Sequence, residues 1–140
     1  MVKLGFIGDG ATEKIILENT DLFDHLKSLN IEFVADVIDA KGNGNLLPHN
    51  LQEYTQILED KGANRIIILT DLDQDQCITL TKERIKPLEN HTLIISVKEI
   101  ETWFLSDTEA MRKFLNDPEF IHENPESIAE PFEEIKSIRI

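Results

Sequence analysis

The chain alternates short, continuous apolar runs with longer stretches in which apolar residues recur every three or four positions. Leu4-Gly5-Phe6-Ile7 is a β-favouring run closed by Gly8-Asp9-Gly10. Thr12 then offers an N-cap, and Ile15, Ile16, Leu17, Leu22, Leu26 and Leu29 follow at helical spacing, predicting one helix. A second strand is predicted over residues 31–38, broken by Asp39-Ala40-Lys41-Gly42-Asn43-Gly44-Asn45. Pro48 opens the next helix, which carries Leu51, Tyr54, Ile57 and Leu58 and ends near Gly62. Residues 65–70 read as a third strand and 80–88 as a short helix limited by Pro87. Residues 92–97 read as a fourth strand and 102–115 as a last helix, with Trp103 and Phe104 expected in its core contacts.

Strands alternating with helices predict an α/β fold: a three-layer, Rossmann-like α/β/α arrangement around a mainly parallel four-stranded sheet. Three of the strands are built on continuous apolar runs, as strands buried on both faces are. The alternation ends near residue 116, so residues 1–116 are expected to form the α/β domain. Residues 117–140 form an acidic extension containing Pro118, Pro125 and Pro131, with an amphipathic helix starting at Pro131. Such an end is expected either to continue into further chain or to dock on a protein partner, including a second copy as a homodimer.

Charge narrows the functional classes. The 140 residues carry 27 acidic and 14 basic side chains, a formal net charge of −13. A chain this negative has no general attraction for phosphate backbones, so nucleic-acid contact would need local cations. Cys77 is the lone cysteine, which excludes an internal disulfide and fits a cytoplasmic setting. It is expected to be a small buried apolar residue. The first apolar run turns polar at Gly8-Asp9, too early for a signal peptide or a membrane span, and no membrane partner is expected.

The acids collect after strands. Asp9 and Glu13 follow the first, Asp71, Asp73 and Asp75 the third, and Glu99 and Glu101 the fourth. In open parallel α/β sheets, ligands bind beyond the carboxyl ends of the strands. Carboxylates converging there repel one another unless protonated or neutralised, and a hard divalent cation, Mg²⁺ or Mn²⁺, is the natural partner of oxygen ligands. Zinc is disfavoured because His25, His49, His91 and His122 lie elsewhere and Cys77 stands alone. Structural alternatives stay open: Asp9 as a turn residue, Glu13 as complement to a helix dipole, Asp75 as a solvent-facing acid.

Asp9-Gly10-Ala11-Thr12-Glu13, Asp71-Leu72-Asp73 and Lys98-Glu99-Ile100-Glu101-Thr102-Trp103-Phe104 together resemble the TOPRIM domain. The nearest likeness is to OLD-family nucleases and to small stand-alone TOPRIM-like proteins whose first motif reads E-G-x-T-E. The likeness covers about residues 1 to 115. Asp9 stands where that motif has glutamate, which withdraws the carboxylate by about 1.5 Å, one C–C bond. A bridging water, or activity reduced or lost, is the implied consequence.

The resemblance implies metal-assisted phosphodiester hydrolysis on nucleic acid. Asp9, Glu13, Asp71 and Asp73 would hold one or two ions, and Glu99 and Glu101 would complete the second site. Lys98 would stabilise charge on the phosphate, or else pair with Glu99 or Glu101. Lys41, Gly42 and Gly44 lie in a loop whose N–H groups are placed to approach a phosphate, or which is simply flexible. Lys82, Arg84 and Lys86 would steer a nucleic-acid strand. Two rivals remain. One is a catalytically degenerate TOPRIM-like binding module. The other is a haloacid-dehalogenase-type phosphatase, whose apolar strand and D-x-D start residues 66–73 also resemble.

Overall fold

The first apolar run is the centre of the sheet. In the computed structural model, which describes residues 1–73 and 75–138, it becomes β1 (Val2–Gly8), buried from Leu4 onward. The predicted helix after it is two helices, α1 (Ala11–Glu18) and α2 (Leu22–Ser28), and α1 is capped by Gly10 instead of Thr12. Short polar side chains cause the break. The Asn19 side-chain amide donates to the Ile15 carbonyl at 3.0 Å, and the Leu22 N–H donates to Thr20 Oγ1 at 3.3 Å. Both compete with the helical ladder.

The expected second strand also divides, which raises the sheet from four strands to five. β2 (Ile31–Phe33) pairs in parallel with the amino half of β1, Val2 opposite Ile31. β3 (Ile38–Asp39) pairs with its carboxyl end, Ile7 opposite Ile38 and Gly8 opposite Asp39. Between them the backbone of Val37 bonds to α1 side chains instead of to β1. Its carbonyl accepts from Lys14 Nζ at 2.7 Å and its N–H donates to Glu18 Oε1 at 3.2 Å.

A 3-10 turn (Asn43–Asn45) leads to α3 (Pro48–Asp60), which starts at its proline as expected. β4 (Arg65–Asp71), α4 (Ile78–Ile85) and β5 (His91–Ser96) follow. The strand order is β2-β1-β4-β5, with β3 also on β1, and β1 and β4 are parallel, Gly8 opposite Leu69. The chain therefore leaves β1 to one side and returns to β4 on the other. That reversal is the topological switch point of a Rossmann-like sheet.

By spatial clustering the chain forms two compact units. The first is Met1–Thr70 with Asp75–Ile95, and the second is Asp71–Gln74 with Ser96–Ile140. In the first unit, alternation along β1 serves two faces. Phe6 meets Phe23 of α2 and Phe33 of β2, with ring centroids at 6.0 and 5.8 Å. Gly5 and Ile7 face α3: a Cβ at Gly5 would lie 2.9 Å from Leu58 Cδ1, and Ile7 shares a buried cluster with Leu51, Leu58, Ile66, Ile68 and Ile85.

In the second unit the helix predicted over 102–115 is interrupted. α5 (Glu101–Ser106) ends and α6 (Thr108–Leu115) begins at Asp107, whose Oδ1 accepts the Ala110 N–H at 3.0 Å. Cap geometry overrides the apolar spacing. Trp103 and Phe104, expected inside, are 45% and 39% exposed, while Leu72, Ile100, Leu105 and Met111 are buried. α7 (Pro131–Ile138) packs on α5, and Glu134 lies 3.4 Å from His122 Nε2.

Candidate functional site

The switch point is built by close packing. Gly8 ends β1, and a Cβ there would lie 2.8 Å from the Cβ of Glu13, so glycine lets the first turn of α1 sit over the strand end. Beyond it, the Asp9 N–H donates to the Leu69 carbonyl at 3.0 Å, extending the β1–β4 ladder by one residue. That brings the Asp9 carboxylate level with Thr70, whose hydroxyl donates to Asp9 Oδ2 at 3.0 Å. Asp9 is 7% exposed and Glu13 is 3% exposed. Glu13 Oε2 accepts the Gly10 N–H at 3.1 Å, so this acid also helps to cap its own helix.

Asp71 is the last residue of β4. Its Oδ1 accepts the Ile100 N–H at 2.8 Å and so caps the entry to α5. Asp73 follows in the left-handed region (φ 49°), and its N–H donates to the Lys98 carbonyl at 2.9 Å. Among the described residues, Asp9, Asp71 and Asp73 form an acidic cluster: each offers a carboxylate oxygen, all within 4.8 Å of one another. Two oxygens on opposite sides of one Mg²⁺-sized ion are about 4.2 Å apart. Three carboxylate oxygens at this spacing could hold a metal ion, and among the described residues no thiolate or imidazole joins the group.

Glu99 sits among more acids. Its pKa is raised, first by burial and then by Glu101, Asp73, Glu130 and Glu133. The last two come from the acidic extension, and sequence reasoning did not place them here. The signal available was the density of glutamate after Pro125. Glu101 is in the first turn of α5, where a negative charge complements the helix dipole. Lys98 is half-buried, and among the described residues it forms no ion pair with Glu99 or Glu101.

The loop after β3 lies at the same edge of the first unit as Asp9. Gly42 (φ 121°) donates its N–H to the Asp9 carbonyl, so that amide is already engaged. Lys41 and Gly44 are exposed. Arg84 reaches this loop from α4: Nη1 donates to the Asn43 carbonyl at 3.0 Å, and Nη2 meets Asp75 Oδ2 at 3.1 Å. Thr81 Oγ1 donates to the same carboxylate oxygen at 2.7 Å. These two hydrogen bonds, Thr81 first, lower the Asp75 pKa. Asp75 is thus tied to α4 instead of facing water alone. Lys82 and Lys86 remain exposed, and Cys77, expected to be buried, is exposed at the start of α4.

The fold and these side chains define a Rossmann-like α/β protein with a carboxylate cluster at the switch point of its sheet. No helix among the described residues is long and apolar enough to cross a membrane. No family model matches the chain, and no curated protein or solved structure matches it significantly.

Proposed function

We propose that this protein is a TOPRIM-like hydrolase that cleaves phosphodiester bonds in nucleic acid with the help of Mg²⁺ or Mn²⁺. The observation that carries the reading is the acidic cluster of Asp9, Asp71 and Asp73 where β1 and β4 end. Asp9, Glu13, Asp71 and Asp73 would hold one or two ions, with Glu99 and Glu101 completing the second position. A bound divalent cation supplies activation of water and stabilisation of the leaving oxygen. The chain's own groups orient the ligands: the Thr70 hydroxyl fixes the Asp9 carboxylate and the Ile100 N–H fixes that of Asp71. Lys98 is the cation that would oppose charge developing on the phosphate. Lys41, Lys82 and Lys86 would offer local attraction to a strand that the net charge otherwise repels.

A second reading is a TOPRIM-like module that binds without cleaving. It is favoured by the shorter Asp9 side chain and by the structural bonds that Asp9 and Asp71 already make.

The test is calorimetry with Mn²⁺ alongside cleavage of single- and double-stranded DNA and RNA. Asp71→Asn is the informative variant, because an amide oxygen can still accept the Ile100 N–H while the charge is gone. Cleavage should stop in EDTA and fall at least ~100-fold in the variant at unchanged Tm. Mn²⁺ binding without cleavage would select the binding module. A covalent aspartyl adduct formed with a small phosphate ester would select the phosphatase chemistry instead.

A further inference from the structure

We infer that Arg84 is a positioning residue for the proposed metal centre, acting through the loop that holds the backbone of Asp9. The inference rests on the functional reading above. The connections are continuous within the first unit. One prong of the guanidinium holds the Asn43 carbonyl at 3.0 Å and the other holds Asp75 Oδ2 at 3.1 Å. Asn43 adjoins Gly42, whose N–H donates to the carbonyl of Asp9. On the other side of Gly42, the Ala40 N–H donates to the Gly8 carbonyl at 2.9 Å. The Asn45 side-chain amide closes the loop on itself, donating to the Ala40 carbonyl at 2.8 Å and the Lys41 carbonyl at 3.2 Å. The loop is therefore a compact tie resting on the Gly8-Asp9 backbone, and Arg84 is its anchor to α4.

The second prong holds Asp75. Asp75 lies two positions after Asp73, and Thr81 and Arg84 both bond its Oδ2. One planar cation thus spans the loop that follows β3 and the segment that follows β4. Only a forked donor makes both bonds in fixed geometry; a lysine ammonium on a flexible stem does not replace it. The side chain is 29% exposed, so its role here is internal bracing, in contrast to the exposed Lys82 and Lys86 beside it.

Arg84→Met and Arg84→Lys, compared with wild type, test this by amide hydrogen exchange and Mn²⁺ calorimetry. In Arg84→Met, exchange of residues 41–46 should accelerate about tenfold while residues 51–58 of α3 keep their protection. Mn²⁺ affinity should weaken about tenfold with Tm lower by a few degrees, and with Arg84→Lys between Met and wild type. Faster loop exchange with unchanged Mn²⁺ affinity would overturn the positioning role, and so would unchanged exchange in residues 41–46. If Arg84→Met does not fold, Arg84→Lys alone decides on the same two readouts. A wild-type protein that takes up no Mn²⁺ would refute the proposed function separately, and the loop's exchange would still decide whether Arg84 anchors it.

Discussion

Around Asp75 the chain supplies its own counter-charge, whereas around Glu99 it supplies more negative charge. Asp75 is held by the Thr81 hydroxyl and the Arg84 guanidinium, which lower its pKa. Glu99 is partly desolvated and faces Glu101, Asp73, Glu130 and Glu133, which raise it. Two half-buried acids of one chain are thus treated in opposite ways. A carboxylate that only shapes a loop is neutralised from within. One left among like charges is comfortable when protonated or beside a cation from solution, which is why perturbed carboxylates point to function.

The largest expected effect separates Asp73 from Asp75. Asp73→Asn should weaken Mn²⁺ binding at least ~30-fold, because the proposed site loses one of its charges. Asp75→Asn, the same change two residues on, should weaken it no more than ~3-fold, since the Arg84–Asn43 bond survives. Calorimetry on both variants checks this. Equal losses would erase the distinction between a ligand acid and a bracing acid.

Next in size are opposite stability changes at neutral pH in metal-free buffer. Asp75→Asn should lower stability by about 1 kcal/mol, the scale of a charge-assisted bond discounted for partial exposure. Glu99→Gln should raise it by a few tenths of a kcal/mol, through relief of repulsion. Urea melts on the two variants read both signs, and a shared sign would mean that the two environments are not opposed.

The α/β order and the positions of Asp9, Asp71 and Asp73 were legible because strand periodicity and strand-end acids are local patterns. What was not legible depended on competition between groups. Asn19 and Thr20 divide a helix that apolar spacing alone would continue. Lys14 and Glu18 capture the backbone of Val37 and so divide a strand. Trp103 and Phe104 were expected inside because aromatic residues usually are, yet α5 buries the face that carries Thr102 and Leu105. Arg84 read as one cation in a basic group. Its two partners lie 41 and 9 positions away, and no sequence spacing announces them.

The smallest effect is the shape of the pH dependence, and its sign follows from linkage. The Asp75 pKa is lowered from 3.8, so its stabilisation is present above that value and is lost as pH falls through the folded-state pKa. The Asp75→Asn penalty should therefore be constant near neutrality and shrink below pH 3.8. The Glu99 pKa is raised from 4.5, so its favourable contribution is complete below 4.5 and is lost as pH rises through the folded-state pKa. The gain from Glu99→Gln should accordingly be smallest below pH 4.5 and grow above it. Differences from wild type remove the background of His91, whose buried ring has a pKa lowered from 6.5 and weakens the fold on acidification in every variant alike. Urea melts at several pH values read the two difference curves. If the Glu99→Gln curve stays flat above pH 4.5, the acids around Glu99 are not pressing on it, and the contrast with Asp75 reduces to one salt bridge.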